Sequence, residues 1–192
     1  MIEPWQAVVL AGGRSSRMGR DKARLWLTNG SLLEHVRSVC LAAGASAVLI
    51  SGNYPEFAAV PDRTPDLGPV GGLASVLSQL ADGALIVVPV DLPRLQPPAL
   101  QTLHAAACAC GTMAARFSGG SVLPLWIRLD PSRRKVIEEV GSAPSRSRSM
   151  NALFHRLAGT ELPCSSLLQA FLEDCDTPEA WHRLTGREPP PC

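Results

Sequence analysis

The stretch from Ala7 to Lys22 constrains this chain most. An unbroken apolar run, Ala7-Val8-Val9-Leu10, passes straight into Ala11-Gly12-Gly13-Arg14-Ser15-Ser16-Arg17-Met18-Gly19-Arg20-Asp21-Lys22. Four apolar residues without polar alternation read as a strand buried on both faces, the habit of parallel sheets covered by helices. The loop behind it carries three glycines, three arginines and a lysine. Glycines admit a ligand close to the backbone, and the cations neutralise a charge that amides alone cannot, so the combination predicts an anion site suited to a triphosphate. Two familiar phosphate loops do not fit: Ala23 follows Lys22 where a Ser or Thr would be needed, and no G-x-G-x-x-G is in register. For any single cation here, a solvated side chain is the alternative.

The alternation that begins there continues. A turn at Thr28-Asn29-Gly30 precedes a capping box of Ser31 and Glu34, a helical run ending before Gly44, and a strand over Ala47 to Ser51. A helix over Gly71 to Ala81, a strand over Ala84 to Val90 and a helix over Pro97 to Ala109 follow. The pattern predicts an α/β fold, a three-layer sandwich with a mostly parallel, Rossmann-like sheet. Right-handed crossovers place the strand ends at Leu10, Ser51 and Val90 on one edge, where such sheets bind ligands. Beyond Gly111 a strand pair is expected around Met113 to Phe117 and Val122 to Leu129, joined by Ser118-Gly119-Gly120-Ser121, then helices over Pro131 to Val140 and Ser149 to Leu157. A last strand is expected near Leu167 to Leu172, with Pro178 opening a terminal helix.

At 192 residues and 46% hydrophobic content, one domain over residues 1–186 is expected, with 187–192 a disordered tail. A net charge of +1 gives no long-range reason to expect nucleic acid or a membrane as partner. No basic flank precedes the first apolar run, which is too short for a signal or a span, so the expected compartment is the cytoplasm. Cys40, Cys108, Cys110, Cys164, Cys175 and Cys192 show no Cys-x-x-Cys and no zinc-type spacing to histidine, and free thiols are expected.

Three further positions carry chemistry. Val90-Asp91-Leu92-Pro93 leaves one carboxylate at the end of a buried strand, either a ligand for Mg2+ or a cap for the helix at Pro97. Asp174-Cys175-Asp176-Thr177-Pro178 offers two more acids, to a metal, to a second substrate or to the helix beginning at Pro178. Arg146, Arg148 and Arg156 suit an anionic acceptor or an ordinary solvated helix face.

Leu-Ala-Gly-Gly-x-Ser-x-Arg-Met-Gly-x-Asp-Lys, as it stands from Leu10 to Lys22, resembles the signature of the molybdenum cofactor guanylyltransferases. The resemblance implies a fold of the nucleotide-diphospho-sugar transferase type and transfer of GMP from GTP to the phosphate of molybdopterin, with release of pyrophosphate. It implies nucleotide contacts at Leu10, Ala11, Gly12, Gly13, Arg14, Lys22, Asn53, Asp66 and Asp91, with Lys22, Arg17 and Asp91 catalytic. Asp91 matches the family's Mg2+ ligand, Asp176 is a second metal candidate, and Pro124, Arg148, Asp174 and Asp176 are the acceptor candidates. Glycine at Gly13, where the cytidylyl cousins carry alanine, implies guanine over cytosine. Asn53, read without the family, is a turn residue. Relatives often read Asn-x-Asn-Thr-Pro where this chain has Asp174-Cys175-Asp176-Thr177-Pro178. Proteins of molybdenum insertion and molybdoenzyme maturation are the implied partners. The competing readings are a cytidylyl- or sugar-phosphate nucleotidyltransferase with the same loop, and a carrier of molybdopterin and nucleotide without chemistry.

Overall fold

A computed structural model of the protein describes residues 3–12 and 21–187. In chain order its elements are β1 (Trp5–Leu10), β2 (Trp26–Leu27), β3 (Gly30–Ser31), α1 (Leu32–Ala42), β4 (Ala47–Ser51), α2 (Gly68–Val76), β5 (Gly83–Pro89) and α3 (Pro97–Cys110). They are followed by β6 (Ala114–Phe117), β7 (Leu125–Leu129), α4 (Pro131–Gly141), α5 (Met150–Arg156), β8 (Thr160–Leu162), α6 (Ser166–Phe171) and α7 (Pro178–Thr185).

The main sheet has the order β4-β1-β5-β7-β6-β8. β1 lies parallel to β4 and β5, β8 lies parallel to β6, and β7 runs against both β5 and β6. Only β7 is therefore reversed, and the mostly parallel sheet expected from the apolar runs is present. The unalternated sequence of β1 is explained by what covers it. Ala7 and Val9 pack with residues of α1, α3 and α7, while Val8 and Leu10 pack with α2, α4 and α5. Each fully buried aliphatic side chain of this kind stabilises the fold by about 1.5–3 kcal/mol.

Helix α1 starts where the capping box predicts: Ser31 Oγ accepts from the Glu34 amide at 3.2 Å, and the Ser31 amide donates to Glu34 Oε2 at 2.6 Å. Helix α2 begins three residues earlier than expected, at Gly68 with Pro69 in its first turn, and its last turn tightens to a 3-10 helix over Leu77–Gln79. The expected strand pair is present as β6 and β7, but Val122 to Pro124 stay outside β7, so the connection runs from Ser118 to Pro124.

One expectation is overturned. Leu167 to Leu172 is not a strand but falls in α6, capped by Ser165, whose Oγ accepts from the Leu168 amide. Leu168, Phe171 and Leu172 recur at helical spacing against the core, while Leu167 is 66% exposed. The strand actually formed nearby is β8, a three-residue edge strand whose Thr160 and Glu161 are exposed, too short and too polar to announce itself. Among the described residues, no helix is long and apolar enough to cross a membrane.

Candidate active site

Because five of six strands point the same way, Leu10, Ser51, Pro89, Phe117 and Leu162 all end at one edge of the sheet. Backbone hydrogen bonds lock the first three ends together. The amides of Ala11 and Gly12 both donate to Ser51 O, at 2.9 and 3.0 Å, and the Val90 amide donates to Leu10 O at 3.1 Å. Glycine is required where these loops touch: a Cβ on Gly52, whose φ is +144°, would lie 3.0 Å from the Gly12 amide nitrogen, and one on Gly72 would lie 2.6 Å from Ser51 Oγ.

Between the loops after β1 and β4 and the start of α2 lies a cavity of about 780 Å³, with Leu10, Gly12, Asn53 and Asp66 among its walls. These expected nucleotide contacts are brought together. Ala11 is not on this wall; its carbonyl lies 3.2 Å from the Tyr54 hydroxyl, which donates to Asp21 Oδ1 at 2.7 Å. With the amides of Ala11 and Gly12 taken up by Ser51, what Gly12 presents to the cavity is its Cα and the space of its missing side chain. Gly13, Arg14 and Arg17, together with Arg20, lie outside the described residues.

The same cavity holds an acid that motif reading passed over. Asp62 accepts from Ser51 Oγ at 3.2 Å, and its carboxylate approaches within 3.4 Å of Cβ positions built on Gly12 and Gly72. Burial raises its pKa, partly offset by the Ser51 hydrogen bond. Asp66, by contrast, is exposed, at a left-handed φ of 63°. Ser51 is likewise a wall residue with a directed hydroxyl. The available signal was positional: Asp62 is the first aspartate after β4, in Val60-Pro61-Asp62, and Val60 bridges back to Ser51.

At the end of β5 the charged groups meet. The Lys22 ammonium lies 3.3 Å from Asp91 Oδ2 and also donates to Asp176. Burial works against its charge, but Asp176 and Asp91 outweigh that and raise its pKa. Asp91 is itself pushed up by burial, with Lys22 opposing and the neighbouring Asp176 and Asp174 adding to the rise. Asp91 does not cap α3, which opens after Gln96 with no side-chain cap. Asp176 does not cap α7 either, since Thr177 Oγ1 accepts from the Ala180 amide at 3.2 Å.

The loop 174–176 is held to β5 by Cys175, a residue that carried no motif signal. Its amide donates to Asp91 O at 3.0 Å and its thiol to the same oxygen at 3.3 Å. Burial pushes this thiol up to about 12, so it stays protonated as a donor.

A second cavity, of about 480 Å³, opens at the same edge between β6, the start of β7, α6 and α7. Pro124 and Asp174 line it as expected, joined by Phe117, Gln169, Glu173 and Arg183. Arg148 is not on its wall; its guanidinium donates to Ala143 O at 2.9 Å and fastens the turn before α5. Arg156 pairs with Glu139, and Arg146 is exposed, which is the solvated-face alternative.

The donor chemistry suits Mg2+. Asp91 and Asp176 both present carboxylate oxygens at Lys22, with Asp174 close enough to perturb Asp91. Among the described residues, no group of three acid, histidine or cysteine side chains encloses a metal. Mg2+ takes one or two carboxylates and completes its shell with substrate phosphates and water, so a pair of carboxylates at the cavity edge is the set it uses.

Comparison with known proteins gives the same picture. The MobA-like NTP transferase domain family matches residues 7–160. A molybdenum cofactor guanylyltransferase of Xanthomonas euvesicatoria is 43% identical over 187 residues, 97% of this chain and 97% of that protein. One from Rhizobium meliloti is 36% identical over 67% of this chain and 71% of its own. The crystal structure of molybdopterin-guanine dinucleotide biosynthesis protein A from Archaeoglobus fulgidus superposes with a TM-score of 0.74 at 18% identity, covering 94% of this chain and 97% of that one. With its sheet, its loop signature and near end-to-end similarity in agreement, the chain belongs to the molybdenum cofactor guanylyltransferase family of MobA-like NTP transferases.

Proposed function

We propose that this protein transfers GMP from GTP to the terminal phosphate of molybdopterin, releasing pyrophosphate. The observation that carries the reading is the Lys22, Asp91 and Asp176 cluster at the sheet edge. Leu10 joins it to the first cavity through its hydrogen bond from Val90, and Asp174 joins it to the second. Two substrates in two cavities would meet at one charged centre.

GTP would take the first cavity. Guanine presents N1–H and N2–H2 donors, and a carboxylate is their natural acceptor. Asp62, half-buried and fixed by Ser51, supports that role better than the exposed Asp66, while Asn53 borders the same space. Lys22, with Arg17 and Arg14 from the loop, would hold the phosphates, and Gly13 would favour guanine. Asp91, with Asp176, would hold Mg2+, which supplies charge neutralisation as pyrophosphate leaves.

Molybdopterin would take the second cavity, between Pro124 and Asp174, with its phosphate toward Lys22. A phosphate monoester is anionic near neutral pH and attacks without a general base, so the protein contributes alignment and charge stabilisation. That is why no nucleophile–histidine pair is needed among these residues. We place residues 1–186 in one catalytic domain and the reaction in the cytoplasm, with molybdenum-insertion and molybdoenzyme-maturation proteins receiving the product.

The test is a transfer assay with molybdopterin and each of GTP, CTP, ATP and UTP. Dinucleotide formation and pyrophosphate release with GTP alone is the expected result. Preference for CTP would overturn the base assignment, and tight GTP binding without pyrophosphate release would indicate a carrier.

A further inference from the structure

The carboxylates assigned to the metal already hold a cation that belongs to the protein. Lys22 Nζ sits between Asp91 and Asp176, 3.3 Å from the former and in contact with the latter. Only 13% of the lysine side chain is exposed there, and its charge is stabilised by both acids. An ammonium in that position takes the oxygen lone pairs and the space that a divalent ion needs. It also commits the charge to the two carboxylates. The two roles required for nucleotidyl transfer, lysine on phosphate and carboxylates on metal, exclude each other in this arrangement.

We infer that Lys22 is a place-holder for the divalent cation and that Asp176 is the residue that positions it, so that metal and ammonium exchange when nucleotide arrives. This rests on the proposed reading of Asp91 as a metal-side carboxylate. Asp176 matters because it adds a second full carboxylate at the ammonium, beside that of Asp91. An amide oxygen would accept from Lys22 without attracting it by charge, whereas a carboxylate at partly buried distance does both. Cys175, tied to Asp91 O through amide and thiol, keeps Asp176 from drifting away when the ammonium leaves.

The exchange has a thermodynamic signature. Without nucleotide, a divalent ion must displace the ammonium from both carboxylates with no phosphate to receive it, and binds poorly. With nucleotide, the displaced ammonium has phosphates to meet, so each ligand tightens the other by the same factor.

Mn2+ serves as the probe, its free concentration read by electron paramagnetic resonance. In the absence of nucleotide, Lys22→Met is expected to bind Mn2+ at least about tenfold more tightly than the wild type, because a competing charge has been removed from the carboxylates. Equal or weaker Mn2+ binding by folded Lys22→Met overturns the inference. With metal chelated, Asp176→Asn is expected to bind GTP severalfold more tightly, since Lys22 is then no longer held by the Asp176 charge. That gain should vanish in the Lys22→Met background; if it persists, Asp176 acts by simple repulsion of phosphate and its positioning role falls. Should Lys22→Met fail to fold, Lys22→Gln takes its place in both titrations, and no tightening in the chelated GTP titration of Asp176→Asn overturns the inference by itself. These titrations need no molybdopterin, so absence of GMP transfer would count against the proposed function without touching the exchange.

Discussion

The nucleotide side and the acceptor side of this sheet edge are built by different means. On the first, three parallel strand ends are joined through main chain: the Ala11 and Gly12 amides to Ser51 O, Val90 to Leu10 O, and the Gly52 amide to Val60 O at 2.9 Å. On the second, the cavity is walled by residues of a short helix, the loops beside it and the last helix, at the end of β6. Main-chain contacts survive most substitutions, whereas side-chain walls change with each one. On the proposed assignment, the nucleotide half is thus the one fixed by the fold, and the acceptor half the one open to change by substitution.

The sharpest way to break that comparison is at the centre the halves share. Asp91→Ala and Lys22→Ala should each lower turnover in GMP transfer by about 10²-fold or more, the usual scale for one electrostatic donor, while circular dichroism shows a folded protein. If either variant altered only one substrate's KM and left kcat intact, the centre would belong to one half rather than to both.

Next comes the nucleotide wall itself. Asp62→Ala should raise the KM for GTP by roughly 10- to 100-fold and leave the acceptor KM alone, because removing the partner of a desolvated polar edge costs about 1–3 kcal/mol. Asp66→Ala, at an exposed position, should change it far less. Equal effects in steady-state kinetics would return the guanine-reading role to Asp66.

These two acids also show what was legible. The α/β class, the mostly parallel sheet and the shared edge follow from Ala7–Leu10 and its successors, because a strand buried on both faces needs helices on both. Lys22 and Asp91 were legible because a cation behind glycines and an acid at a buried strand's end are costly unless a ligand or partner meets them. Asp62 was not, since what marks it is proximity to Gly12, Ser51 and Gly72, which are distant in sequence. Cys175 was hidden for the same reason: its partner, Asp91 O, is 84 residues away. The error at Leu167 to Leu172 has a different origin. Five apolar residues in six give no period, and the decisive cap at Ser165 lies just outside the run.

On the acceptor wall the effects should be smaller. Gln169 reaches across the cavity, its Nε2 lying 3.5 Å from a Cβ built on Gly119, and Arg183 is a wall cation near Glu173. Gln169→Ala and Arg183→Ala should each raise the KM for molybdopterin by roughly fivefold to tenfold, the worth of about one hydrogen bond, with GTP binding by calorimetry unchanged. A change in GTP affinity instead would merge the two cavities into one site.

The smallest effect is in acid sensitivity. His35 lies on α1, off the walls of both cavities, with Nε2 buried and unpartnered. Burial lowers its pKa below the ordinary 6.5, only partly opposed by the Leu95 carbonyl. For a base lowered in the folded state, both states are neutral at high pH and no penalty exists. As pH falls through 6.5 the unfolded chain takes a proton that the folded chain refuses, so stability drops until the lower folded pKa is passed. The ring is only partly buried, so the loss should be slight. His35→Phe keeps the ring volume and removes the proton site. Its urea midpoint should therefore fall less than the wild type's between pH 7.5 and pH 5.5, and parallel falls in the two proteins would move the acid sensitivity to other groups.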